Sequence, residues 1–186
     1  MKDINLFKTN DSIFLKKIKS KLEISEKDDC DGYLIESSEK EARRIISSLK
    51  GKKKIVGFVG GDDVLNRRAI ETLKINYLVS PERGPRKDGL KQRDSGMNQV
   101  IAKEARKRGV VIVIDFSEVS NLRGKEKALR LARLIQNIKI CRKAGCSIKI
   151  ASLGKEKKNV ADEKARKSLG LSLGMSSGQA KDAVKF

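Results

Sequence analysis

The sequence predicts an α/β fold on a parallel sheet, an imperfect TIM-like (β/α) barrel with about seven strands, formed by residues 1–186 as a single domain. Three observations predict it. Short β-branched runs, such as IVGFV at 55–59 and VVIVI at 110–114, alternate with longer segments whose apolar residues recur at helical spacing. Four junctions, Lys50-Gly51, Arg108-Gly109, Ala144-Gly145 and Leu169-Gly170, each place a glycine between the end of a basic helix and the next strand. Glycine there permits the left-handed residue that ends a helix, and cations suit the negative end of the helix dipole. Parallel strands joined by helices need both sheet faces covered, which leaves a doubly wound sheet or a closed barrel. About seven units favour the barrel, and a chain shorter than the usual eightfold barrel implies a missing or degenerate strand near the C-terminus.

In order, residues 4–7 form a short apolar strand. Asp11 or Ser12 then caps a helix from Ile13, with Phe14, Leu15, Ile18 and Leu22 on one face. Residues 32–35 read as the next strand, followed by a helix from Ser38 that turns Ala42, Ile45, Ile46 and Leu49 inward. The run 55–59 is a buried strand; Gly60-Gly61 closes it, and Asp62 or Asp63 caps a helix carrying Leu65, Ala69, Ile70 and Leu73. Residues 75–80 make the fourth strand. Both prolines, Pro81 and Pro85, follow in an irregular loop, since proline lacks the N–H that a central strand needs. That loop, 81–93, is the longest connection outside the regular pattern, and loops of this size are commonly functional. Asp94 caps a helix that stops at Gly109, and strand 110–114 follows. Residues 115–123 read as a polar loop, and 125–144 as a long helix with Ala128, Leu131, Leu134, Ile135 and Ile138 on its buried side. Residues 147–151 are a sixth strand, and Asn159 or Asp162 opens a short helix ending at Gly170. Residues 171–173 are a poor seventh strand, and a last helix starts at Ser176 or Ser177.

Lys and Arg number 43 against 24 Asp and Glu, a net charge of +19 spread along the whole chain. Such a surface binds a polyanion with release of counterions and offers little to a neutral metabolite; the plainer alternative is a solubilising surface. Trp is absent and aromatics make up 4%, so stacking on an aromatic platform is poorly supplied and phosphate contacts should dominate. Cys30, Cys141 and Cys146 are odd in number, and with no histidine present they read as reduced thiols packed as small apolar groups. No apolar run reaches membrane-spanning length and the N-terminus lacks the apolar core of a signal peptide, which predicts a soluble, cytoplasmic protein.

In a parallel α/β architecture the working face lies at the C-terminal ends of the strands. That rule selects Gly60, Gly61, Asp62 and Asp63, the loop 81–94, residues 115–123 and residues 151–158. The last three are rich in Lys and Arg, so this rim is expected to be electropositive and suited to a nucleic-acid backbone, with Arg86, Lys87, Lys91, Arg93, Arg123 and Lys158 as candidate contacts. Gly60-Gly61 lacks the spacing of a phosphate-binding motif and is explained by a tight strand-to-helix turn. Asp62, Asp63, Asp94 and Asp115 could converge on Mg²⁺, but Asp is also a preferred helix cap, and capping is the stronger reading. Without histidine the usual general base and imidazole ligands are gone, and no Ser or Cys has a partner base at a recognisable spacing. No catalytic residue and no metal ligand is assigned.

The segments GGDDVLNRRAIE (60–71), YLVSPE (77–82), RDSGMNQVIAKEA (93–105) and VVIVIDFS (110–117) resemble archaeal and eukaryal ribonuclease P protein component 3, the subunit with a barrel like that of polymerase-and-histidinol-phosphatase (PHP) hydrolases. The resemblance implies a PHP-like barrel and a noncatalytic, RNA-binding subunit of ribonuclease P. Such a subunit supports the catalytic RNA, with protein component 2 and the other ribonuclease P proteins, in removing the 5′ leader of precursor tRNA. Mg²⁺ would serve the RNA-based holoenzyme, and no cofactor would be bound by the chain itself. On these positions Arg67, Arg86, Lys87, Lys91 and Arg93 become candidate RNA contacts, whereas Asp94 and Gly96 look structural, as cap and close-packed first turn. The related hydrolases carry histidine ligands on the first strand, where this chain has Asn5, Leu6 and Phe7. Two other readings stay open, a metal-dependent phosphoesterase on the same barrel and a basic ribosome-associated RNA-binding protein.

Overall fold

The computed structural model describes residues 2–10, 12–25, 27–84, 86–89 and 93–186. Among them seven strands lie in one sheet in chain order, every neighbouring pair parallel: β1 (Asp3–Asn5), β2 (Ser12–Ile18), β3 (Gly32–Ile35), β4 (Ile55–Val59), β5 (Tyr77–Val79), β6 (Val111–Asp115) and β7 (Ile148–Ala151). The helices are α1 (Glu39–Ser48), α2 (Asp63–Thr72), α3 (Gln99–Arg108), α4 (Phe116–Asn121), α5 (Gly124–Ala144), α6 (Glu163–Ser172) and α7 (Ser177–Ala183). The sheet curls into a nearly closed barrel. Its ends meet where Leu153 N–H donates to the Ile4 carbonyl at 2.9 Å and Leu6 N–H to the Gly154 carbonyl at 3.0 Å.

Alternation along the strands separates two packing layers. Ile4, Leu15, Leu34, Val59, Val79 and Val113 pack inside the barrel, with Tyr77 and Phe186 toward its N-terminal end, the two rings edge to face at 6.1 Å between centroids. Phe58, Leu78 and Ile112 point outward into the layer covered by Ala42, Ile45, Ala69, Ile70, Ile101 and Ala105 of α1, α2 and α3. A seven-stranded barrel leaves little room inside. At Gly57 a Cβ would already lie 3.0 Å from Leu34 Cδ1.

The seam between β7 and β1 is held by a buried ion pair. Arg166 of α6 meets Asp3 at 2.9 Å and donates to the carbonyls of Ile150 at 3.1 Å and Val184 at 3.3 Å. Cys30, Cys141 and Cys146 are buried free thiols within the outer layer.

Several local expectations are corrected. Residues 12–18 are strand β2, not a helix, and Leu22, expected on the buried face, is 94% exposed. Over seven residues Phe14, Leu15 and Ile18 fit either period, and pairing with β1 and β3 decides for the strand. The proposed cap Asp11 lies outside the described residues. Asp94 is not a helix cap: Asn98 caps α3, its side chain accepting from Ile101 N–H at 2.9 Å. Residues 115–123 are not a plain loop, because Asp115 caps the short helix α4. Ala128 is exposed on α5, whose buried side carries Arg130, Arg133 and Asn137 beside Leu134 and Ile138. Residues 171–173 are the end of α6 and its cap, so Gly170 sits within that helix, where a Cβ would press on Met175 and Ile150. The expected strand number therefore holds with a different membership: β2 replaces 171–173. Only residues 6–11 join β1 to β2, and a single 3-10 turn at Lys21–Glu23 replaces the helix between β2 and β3.

Candidate functional site

The C-terminal mouth of the barrel holds a cavity of about 450 Å³ with an apolar floor, including Leu34, Val59 and Val79, and a polar wall of Lys17, Ser80, Arg83, Asp115 and Glu118. The strand ends position these groups. Ser80 leaves β5 with φ +49°, a left-handed conformation uncommon for a non-glycine residue, as does Leu153 after β7 with φ +47°. The charges form a chain around the mouth. Lys17 pairs with Glu36 at 2.8 Å, Arg83 with Glu36 and with Glu118 at 3.4 Å, and Arg130 of α5 with Glu118 at 3.0 Å and Glu82 at 3.6 Å.

Burial decides which carboxyls ionise. Glu82 is 1% exposed, and burial pushes its pKa up to about 7 against the pull of Arg130. Burial likewise pushes Asp115 up to about 7, reinforced by the negative charges of Glu118 and Glu82. At Glu36 burial opposes ionisation, but Lys17 and Arg83 outweigh it and hold the carboxyl below the usual range. Among the described residues no group of three or more His, Cys, Asp and Glu could hold a metal ion. Glu36, Glu82 and Glu118 of the mouth are each paired with guanidinium or ammonium groups, a donor set that does not fit the metal centre of a hydrolase.

Beside the mouth, the loop 81–98 is fastened from two sides. From α2, the fully buried Asn66 donates to the carbonyls of Pro81 at 2.8 Å, Gly96 at 3.0 Å and Gly61 at 3.1 Å, and accepts from Gly61 N–H at 2.9 Å. Gly96 has φ +71°, and a Cβ there would overlap the Pro81 carbonyl, so its close packing is as expected although it precedes the helix. At Gly60 a Cβ would lie 2.6 Å from Pro81 Cα. From α5, Arg133 holds Asp88 at 3.2 Å, Gln136 donates to the Arg93 carbonyl at 2.8 Å and Asn137 to the Ser95 carbonyl at 3.0 Å.

The expected cations are distributed unequally. The Arg86 side chain is 2% exposed: it pairs with Asp63 at 2.7 Å and with Asp94 at 2.5 Å and donates to the carbonyls of Gly61 and Pro81, which makes it a strut within the loop. Arg67 is exposed on α2 and pairs with Glu71 at 2.7 Å. Arg93 is exposed and 3.7 Å from Asp88; Lys158 is exposed and 2.8 Å from Glu156. Lys87 is exposed. Arg123 is exposed and donates to the carbonyls of Ser120 at 2.6 Å and Leu122 at 3.0 Å. Lys91 lies outside the described residues. Of the described cations of this rim, Arg83, Arg86, Arg93 and Lys158 are matched by carboxylates, whereas Lys87, Arg123, Lys155 and Lys157 are exposed. Sequence reasoning passed over Asn66, Asp88 and Arg133. Their signal is an Asn inside a helix, where propensity disfavours it, and polar residues at positions 130, 133 and 137, a helical spacing beside an apolar stripe.

No protein-family model matches the sequence. The chain is 30% identical over 144 residues to ribonuclease P protein component 3 of Thermococcus gammatolerans, covering 76% of this chain and 64% of that protein. It is 28% identical over 119 residues to the protein of that name from Methanosarcina acetivorans, covering 64% of this chain and 46% of that one, and 24% identical over 154 residues to the one from Methanothermobacter thermautotrophicus, covering 82% and 60%. The chain is a relative of archaeal ribonuclease P protein component 3. It spans about half the length of the curated component 3 proteins it matches. A chain in a cryo-electron microscopy structure of archaeal ribonuclease P with mature tRNA has the same fold, with TM-score 0.75 and 20% identity over 98% of this chain and 86% of that one. An amidohydrolase crystal structure shares the barrel more distantly, with TM-score 0.59 and 13% identity over 84% of this chain and 41% of that one.

Proposed function

We propose that this chain is an RNA-binding protein subunit of ribonuclease P that supports the catalytic RNA in removing the 5′ leader from precursor tRNA. The observation that carries the reading is the sequence likeness to ribonuclease P protein component 3 of several archaea, joined to a barrel shared from end to end with a chain of an archaeal ribonuclease P. The charge of +19 supports it, because a phosphate backbone is the partner that gains most from such a surface.

In this role the chain itself cleaves no bond. The RNA carries out the reaction with Mg²⁺, and the protein neutralises and positions phosphates. Its partners are the ribonuclease P RNA, protein component 2 and the other protein subunits. Exposed cations on the mouth side, Arg67, Lys87, Arg93, Arg123 and Lys158, contribute backbone contacts, and Arg86 acts indirectly by holding the loop that carries its neighbours. Reconstitution with the RNA and the other protein subunits tests the reading. Precursor-tRNA processing is expected to fall when this chain is omitted, and unchanged processing would remove the reading.

A further inference from the structure

A second group of cations without carboxylate partners lies at the opposite end of the barrel from its mouth. Four consecutive helix-to-strand connections, at residues 49–54, 73–76, 105–110 and 141–147, contain no Asp or Glu. They carry Lys50, Lys52, Lys53, Lys74, Lys107 and Lys143, every one of them exposed. These connections enter β4, β5, β6 and β7, which are neighbours in the sheet, and α1 packs on α2, α2 on α3 and α3 on α5. The six ammonium groups therefore share one face. Described acids at this end are engaged elsewhere, among them Asp28 with Lys16, Asp29 with Lys8, Glu104 with Arg108, and Asp31, which accepts from Phe14 N–H.

Helix dipoles account for only two of the six, Lys107 and Lys143 in the last turns of α3 and α5. The last turns of α1 and α2 contain no basic residue, and Lys50, Lys52, Lys53 and Lys74 all lie beyond those helix ends, where the dipole effect fades. Clustering like charges destabilises a folded chain, and at the mouth acids are interleaved with the cations, pairing Lys17, Arg83, Arg86, Arg93 and Arg130. Arginines of the same face are tied inward, Arg106 to the Ala144 carbonyl at 3.3 Å and Arg142 to the Gly174 carbonyl at 2.7 Å. The cations left without a partner are lysines, flexible point charges that hold phosphate without reading sequence and that are depleted where proteins bind proteins.

We infer that the N-terminal end of the barrel is a phosphate-binding face for the backbone of double-stranded RNA. Packed helices lie about 8–10 Å apart, so four neighbouring helix ends spread over roughly 25–30 Å of arc, enough to follow several successive phosphates. The inference deepens the ribonuclease P reading and rests on it for the choice of RNA as the polyanion.

The test is binding of the full chain to a short RNA duplex of arbitrary sequence, measured against salt. Compared with the unsubstituted chain are a variant with Lys50→Gln, Lys52→Gln and Lys53→Gln, one with Lys74→Gln, Lys107→Gln and Lys143→Gln, and a mouth-side variant with Arg123→Gln, Lys155→Gln and Lys157→Gln. Each face variant is expected to flatten the slope of log K against log salt by about two to three, one contact per lysine. The mouth-side variant is expected to change it less. Unchanged slopes in both face variants overturn the inference, whatever the mouth-side variant does. Loss of polyglutamate binding with duplex binding intact would assign the face to an acidic protein and overturn it equally. The duplex assay contains no ribonuclease P RNA, so failure of the processing role in reconstitution is a separate result.

Discussion

The side-chain amide of Asn66 donates to the main-chain carbonyl of Gly96, thirty residues further along, at 3.0 Å. With the bond to Pro81 at 2.8 Å it ties both ends of the mouth loop to the first turns of α2. The Pro81 carbonyl also accepts from Arg86, whereas the buried Gly96 carbonyl has the Asn66 amide as its partner.

Replacing Asn66 with Ala leaves the Gly96 carbonyl and the Gly61 N–H unpaired, and a loss of about 2–4 kcal/mol of stability is expected from urea unfolding. Arg67→Ala, one residue on, removes an exposed pair with Glu71 and should cost less than about 1 kcal/mol. Equal effects at the two positions would contradict the clamp.

Gly96→Ala is expected to be among the most damaging small substitutions in the chain. A Cβ there overlaps Pro81 O and comes within 2.7 Å of Asn66 Nδ2, and φ +71° is itself unfavourable for alanine. Gly109 has nearly the same φ but nothing near its Cβ, so Gly109→Ala carries the conformational cost alone, about 1 kcal/mol. A thermal-unfolding comparison of the two variants separates collision from conformation.

Glu82 makes stability depend on pH in a defined direction. Its folded-state pKa is raised from 4.5 to about 7, so between those values the native state keeps a proton that the unfolded chain has released. That contribution is fully present below about pH 4.5 and is lost as pH rises through about 7. Glu82→Gln keeps a neutral side chain at every pH. Relative to the parent it should gain stability across this window, on the order of 3 kcal/mol by pH 8. Parallel denaturation curves for the two proteins from pH 5 to about pH 8 would refute this if their difference stayed constant.

Arg166 closes the barrel seam. Arg166→Ala strips the partner from the buried Asp3 carboxylate, and a loss of about 3–5 kcal/mol is expected. Arg166→Ala with Asp3→Asn should recover part of it, because no uncompensated charge remains. Chemical denaturation of these two variants and of Asp3→Asn alone gives the coupling.

Much of the architecture was legible in the sequence because its causes are local. Ile55–Val59 and Val111–Asp115 are the near-continuous apolar, β-branched runs that a doubly covered strand requires, and Gly109 and Gly145 end α3 and α5 in the left-handed conformation, as glycine alone does cheaply. Residues 12–18 and 171–173 were misread because a short apolar segment satisfies both periods, and only a neighbouring strand edge or helix distinguishes them.

The sequence by itself determined the parallel α/β plan, the basic character and the likeness to ribonuclease P protein component 3, since each rests on residue types and their spacing along the chain. Only the tertiary structure decided which cations are available. Arg86 and Lys53 are equally charged in the sequence, but folding surrounds Arg86 with Asp63, Asp94 and two carbonyls and leaves Lys53 exposed on a connection that carries no acid. Pairing depends on distances between residues far apart in the chain, and the barrel's closure sets those distances.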